Sequence, residues 1–67
     1  MVVLFLGGPL NGERTDWTNP PNYYAYIIVG GMVPYSPHDE IRVPGVDTVY
    51  APIGMGGNAI TDSLSHL

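Results

Sequence analysis

Gly7-Gly8-Pro9-Leu10-Asn11-Gly12 separates an apolar run, Val2-Val3-Leu4-Phe5-Leu6, from an alternating one, Glu13-Arg14-Thr15-Asp16-Trp17. Asn-Gly between two strand-like runs is the strongest short-range signal for a β-hairpin. A type I′ turn there would hold both central residues at positive φ. Pro9 fixes its own φ and has no N–H for a ladder, so the first strand is predicted to stop near Gly8. The chain is therefore expected to open with a hairpin, on which the rest of a sheet is built.

Outward from that hairpin, Thr18-Asn19-Pro20-Pro21-Asn22 reads as a stiff extended connector, because each proline restricts itself and its predecessor. Tyr23-Tyr24-Ala25-Tyr26-Ile27-Ile28-Val29 is the best strand in the chain, rich in aromatic and β-branched residues. Tyr23, Ala25, Ile27 and Val29 share one face, and Tyr24, Tyr26 and Ile28 the other. Neither face is polar, so both call for cover. Gly30-Gly31 should end this strand, and Pro34-Tyr35-Ser36-Pro37 reads as a second turn. His38-Asp39-Glu40 reads as a solvated tip. Ile41-Arg42-Val43 and Val46 to Ala51 alternate as two short strands that could pair across Pro44-Gly45. Beyond Pro52 the chain turns glycine-rich, and Ala59 to Leu67 suggests one helical turn capped by Thr61 or Asp62.

The fold expected is all-β: a small twisted antiparallel sheet of four or five short strands, with extended Pro/Gly-rich connectors. Residues 1–52 form the β domain, and residues 53–67 a glycine-rich hinge and C-terminal arm.

Size and composition narrow the function. A 67-residue chain buries only about 60% of the surface it exposes when unfolded. Such domains usually need disulfides, a metal or a partner. Cysteine is absent, which closes the first route. Only 12% of residues are charged, about half the usual share, while seven residues are aromatic. A net charge of −4, no lysine, and only Arg14 and Arg42 as cations speak against a nucleic-acid surface. No apolar run approaches the roughly 18 residues of a membrane span. The N-terminus lacks the charged region of a signal peptide, so the chain is expected to be made and used without export.

Candidate chemistries are thin. His38, Asp39, Glu40 and His66 are ligand-type residues, but neighbours on an extended chain point to opposite faces, and zinc patterns repeat at spacings of two to five. Ser36 beside His38, and Ser63 and Ser65 beside His66, lack the rigid elbow that presents a nucleophile. Gly54-Met55-Gly56-Gly57 cannot be a phosphate loop without a lysine, and reads as a hinge. Pro20-Pro21-Asn22-Tyr23 matches a motif read by WW domains, yet Tyr23 serves as well to open the main strand. The expectation is no catalysis, no cofactor, no metal and no small-molecule substrate. Trp17 and the tyrosines are more informative as a set, because aromatic residues with polar tips concentrate at interfaces. The expected partner-binding residues are Trp17, Tyr23, Tyr24, Tyr26, Tyr35 and Tyr50, with Met55 and Leu67 on the arm.

The opening strand followed by Gly7-Gly8-Pro9-Leu10-Asn11-Gly12-Glu13-Arg14 resembles a group of small tailed-bacteriophage proteins. These begin with a strand and a GGP-[LA]-[DN]-G turn, then a polar strand and a tyrosine-rich one, here Tyr23 to Gly31. The resemblance covers the first 31 residues and implies a small virion accessory protein with no catalytic residues. The expectation is a minor capsid, decoration or cement protein of the virion, made in the host cytoplasm. Its partner would be the major capsid protein or another large virion subunit, with self-association possible. The rival expectation is a small acidic protein that binds and modulates a host enzyme.

Overall fold

A computed structural model describes all 67 residues. The apolar opening forms β1 (Val2–Phe5) and the polar run forms β2 (Arg14–Asp16), paired antiparallel with Val3 opposite Thr15. The expected hairpin is present, but its turn differs. Residues Gly8–Leu10 make a 3-10 turn with Pro9 inside it, and Asn11 has φ −52° and ψ 124°. With Gly12 at φ +86° and the Glu13 N–H donating to the Leu10 carbonyl at 2.9 Å, Leu10 to Glu13 is a type II turn. Only its third residue needs positive φ, so Asn11 escapes the strain a type I′ turn would impose. Phe5 then faces two residues, accepting from Gly12 N–H at 2.8 Å and donating to the Glu13 carbonyl at 2.9 Å. That is a bulge with a left-handed glycine in first position.

The Tyr-rich run is β3 (Tyr24–Ile28), and it turns back into β4 (Gly31–Pro37), with Tyr26 opposite Val33. The turn expected over residues 34–37 is instead the second half of β4. Both prolines sit where a missing N–H costs little. The Pro34 carbonyl accepts from Ile53 N–H at 2.9 Å in the last rung towards the next strand. Since His38 N–H donates to Val49 at 2.8 Å, Pro37 turns its nitrogen the other way, beyond the start of β3.

β5 (Thr48–Pro52) is the centre of the sheet, whose order is β2-β1-β5-β4-β3. It does not pair with residues 41–43, which form no strand. It runs parallel to β1, with Leu4 opposite Val49, and antiparallel to β4, with Ser36 opposite Ala51. The sheet is all one layer of five strands, as expected in number, but mixed rather than purely antiparallel. Pro52 ends the parallel pairing just where β1 ends.

The segment read as a hinge and arm folds back instead. α1 (Gly57–Ser65) starts a turn earlier than Thr61, with Gly56 before it and no side-chain cap. Its Ile60 is fully buried against Leu4, Leu6, Val49 and Ala51, with Leu64 beside them. The opposite face of the sheet holds Val3, Phe5, Tyr35 and Tyr50, flanked by Leu10, Trp17, Tyr24, Tyr26 and Val33. Two small cores thus sandwich β1 and β5.

Candidate docking surface

A helix is about 10 Å across, and strands lie about 4.8 Å apart, so one helix roofs about two strands. α1 roofs β1 and β5. On the same side of the sheet, β3 and β4 have no roof. Ladder register places Ala25 with Pro34 and Ile27 with Met32 on this bare half; the alternation adds Tyr23, and Val29 stands at the tip of the turn. Ile27 is 72% exposed, Met32 52%, Tyr23 49%, and Val29 wholly so; Ile53, bonded to Pro34, is 53% exposed. On the other face Ile28 is also exposed. No charged residue occurs between Thr18 and Pro37. This is a contiguous apolar hairpin with no polar screen. Exposed patches of that kind mark interaction sites in soluble proteins, where isolated apolar residues need no explanation.

The residues expected to contact a partner divide sharply. Tyr35 and Tyr50 are fully buried and belong to the core, which corrects their expected placement. With Phe5 at the centre, Trp17, Tyr24, Tyr35 and Tyr50 form an aromatic cluster; the Phe5 and Tyr35 rings meet edge-on at 5.1 Å and 82°. Tyr35 reaches under the opening turn, where its hydroxyl donates to the Gly7 carbonyl at 2.8 Å and accepts from Leu10 N–H at 3.1 Å. A Cβ on Gly8 would lie 2.6 Å from that hydroxyl, so the glycine makes room for it. The Tyr50 hydroxyl donates to the Pro21 carbonyl and pins the connector. Burial pushes the pKa of both tyrosines above the ordinary 10.0. Tyr26 adds to the shift at Tyr35, against the lowering effect of the Leu10 bond, and Asp39 adds to it at Tyr50.

Trp17, Tyr24 and Tyr26 are half-buried at the rim of this cluster. Met55 is half-buried against the α1 core, over Gly7, and Leu67 is exposed near Gly12. Of the eight, Tyr24 and Tyr26 lie on β3 and Tyr35 on β4, all on the aromatic face, while Tyr23 just ahead of β3 is on the bare side. Ile27, Ile28, Val29, Met32 and Ile53 were missed. The signal that could have found them was in the sequence: a strand apolar on both faces in a chain too short to cover both.

The polar candidates do not assemble. His38 Nδ1 and Glu40 Oε1 are 3.0 Å apart, and Glu40 is held below the ordinary carboxylate range by its own backbone N–H and by His38. His38 Nε2 is buried without a partner beside a cavity of about 370 Å³ lined mainly by polar residues, among them Asp39, Arg42 and Asp47. Asp47 is already engaged, accepting from Val2 N–H at 2.6 Å. His66 lies at the end of α1, where its ring bonds the Asp62 carbonyl. No three ligand-type side chains converge; on α1 the Ser65 hydroxyl donates to the Thr61 carbonyl and the His66 ring bonds Asp62, so neither serine hydroxyl of α1 is paired with a histidine ring. No helix is long and apolar enough to cross a membrane.

Comparison with protein-family models, curated proteins and solved structures finds nothing that matches this chain.

Proposed function

We propose that this chain is a non-enzymatic structural protein, a minor capsid or decoration (cement) protein of a tailed-phage virion. It attaches to the major capsid protein or another large virion subunit through the bare side of β3 and β4. The observation that carries this reading is the uncharged apolar hairpin left uncovered by α1. A surface of that chemistry binds by excluding water from a matching apolar groove, without charge steering. Repetition over a symmetric shell then makes a modest contact strong. The resemblance of the opening turn to small phage proteins supports the virion as the setting.

The test is mass spectrometry of purified particles, with copy number counted against the major subunit. A fixed stoichiometry is expected for the natural chain, falling to background when Ile27→Asp and Met32→Asp are combined. Absence of the natural chain from the particle would end the proposal. A soluble complex with a host enzyme in its place would establish the acidic modulator.

A further inference from the structure

The two edges of the sheet are built differently. β2 is three residues long and carries exposed Arg14 and Asp16, the latter bonded to the N-terminal ammonium at 2.9 Å. Short, charged edges resist pairing with another chain. β3 has five residues, no charge and no proline. In its ladder with β4, Tyr24, Tyr26 and Ile28 turn their backbone groups inwards, matching the two-residue turn between Ile28 and Gly31. Ala25 and Ile27 therefore turn theirs outwards, where the sheet order ends.

We infer that this edge is occupied by the same edge of a second copy, giving a two-fold dimer with a continuous ten-stranded sheet. Three features single out a second copy. The midpoint of β3 is Tyr26, so an antiparallel pair centred there overlaps the strands end to end. In that register Ala25 meets Ile27 of the other copy in hydrogen-bonded pairs, and Tyr24 meets Ile28 in aromatic–β-branched pairs, a favourable combination. The six acids that give the chain its net charge of −4 all lie outside residues 18–37, so two copies meet without like charges at the seam. The pairing uses backbone groups and leaves Ile27 and Met32 facing outwards, so the dimer doubles the apolar strip that the attachment reading assigns to the shell.

The cysteine-free chain allows a direct test of register. At the two-fold, Tyr26 would face its own copy in a non-hydrogen-bonded pair with Cα atoms about 4.5 Å apart, close enough for a disulfide. The full-length Tyr26→Cys chain should crosslink to twice the monomer mass under mild oxidation. Ile28→Cys should not, since its counterpart lies about 13 Å along the ladder. Light scattering of the natural chain should show a concentration-dependent doubling of mass. Ala25→Pro removes an outward N–H but no bond to β4, and should stay monomeric with an unchanged circular dichroism spectrum. A natural chain that is monomeric at every concentration, an Ala25→Pro chain that still dimerises, or equal crosslinking by both cysteine variants would overturn the inference. These measurements use free protein, so they succeed or fail separately from detection in particles.

Discussion

Tyr35→Phe removes one oxygen atom from the middle of the molecule and tests how the opening turn is held. The hydroxyl links Gly7 and Leu10 across the 3-10 turn. Each bond contributes about 1 kcal/mol net, and a buried partner left unsatisfied costs about 1–3 kcal/mol. Gly7 is buried, while Leu10 is half-buried and has access to water, so the loss should be about 2–3 kcal/mol. A domain of this size holds only about 3–10 kcal/mol in total, at roughly 0.05–0.15 kcal/mol per residue. The melting temperature should fall by about 8–24 °C, since 1 kcal/mol shifts it by about 4–8 °C in a chain this small. Urea unfolding followed by circular dichroism gives the free energy directly, with an unchanged slope showing that the same surface is exposed. Tyr23→Phe is the control: Tyr23 is half-exposed, makes no side-chain hydrogen bond, and should change stability by less than about 0.5 kcal/mol. If Tyr35→Phe matched the control, the hydroxyl would not be clamping the turn, and the reason given for Gly8 would fall with it.

Ile60→Ala should cost about 2–4 kcal/mol in a urea titration, because Ile60 is the one fully buried side chain of α1 and its loss leaves a cavity over β1 and β5. Val29→Asp, at the wholly exposed tip of the hairpin, should leave stability within about 0.5 kcal/mol while sharply lowering retention on purified particles. Stability should also fall in alkali. Tyr35 and Tyr50 titrate above the ordinary 10.0 when folded, so above that pH the unfolded chain has already lost protons that the folded one keeps. Their contribution is fully present below pH 10 and is lost as pH rises through the folded values, which should appear as tyrosinate absorbance rising together with loss of structure.

What could be read from the sequence was local. The opening hairpin, the strand over residues 24–28 and the start of its return rest on neighbours in the chain, where alternation and turn residues act directly. The parallel pair of β1 and β5 does not. It joins Leu4 to Val49 across most of the chain, and no periodicity near either strand distinguishes that partner from residues 41–43. The prolines of β4 misled for a similar reason. A proline excludes one hydrogen bond in one direction, and whether that direction holds a partner depends on where β3 and β5 end. α1 was underestimated because a nine-residue helix is weak alone and is held here by Ile60 in a core that only the tertiary fold creates.

The exposed apolar surface was half-legible, and the missing half follows from the same cause. Composition showed more aromatic and aliphatic surface than a small core usually absorbs, and tyrosine was the natural residue to assign to the excess. The fold does the reverse. Flat rings pack edge-on or tilted around Phe5 and fill one core with few residues, and the hydroxyls of Tyr35 and Tyr50 reach backbone carbonyls at its margins. The chain has only one helix, and it lies over the central strands β1 and β5. Covering those strands buries Leu4, Leu6, Val49 and Ala51, so the shortage of cover falls on the outermost hairpin. The aliphatic residues there, Ile27, Val29 and Met32, are left in water. An assembly that supplied the missing roof would bury them without disturbing anything the chain already packs.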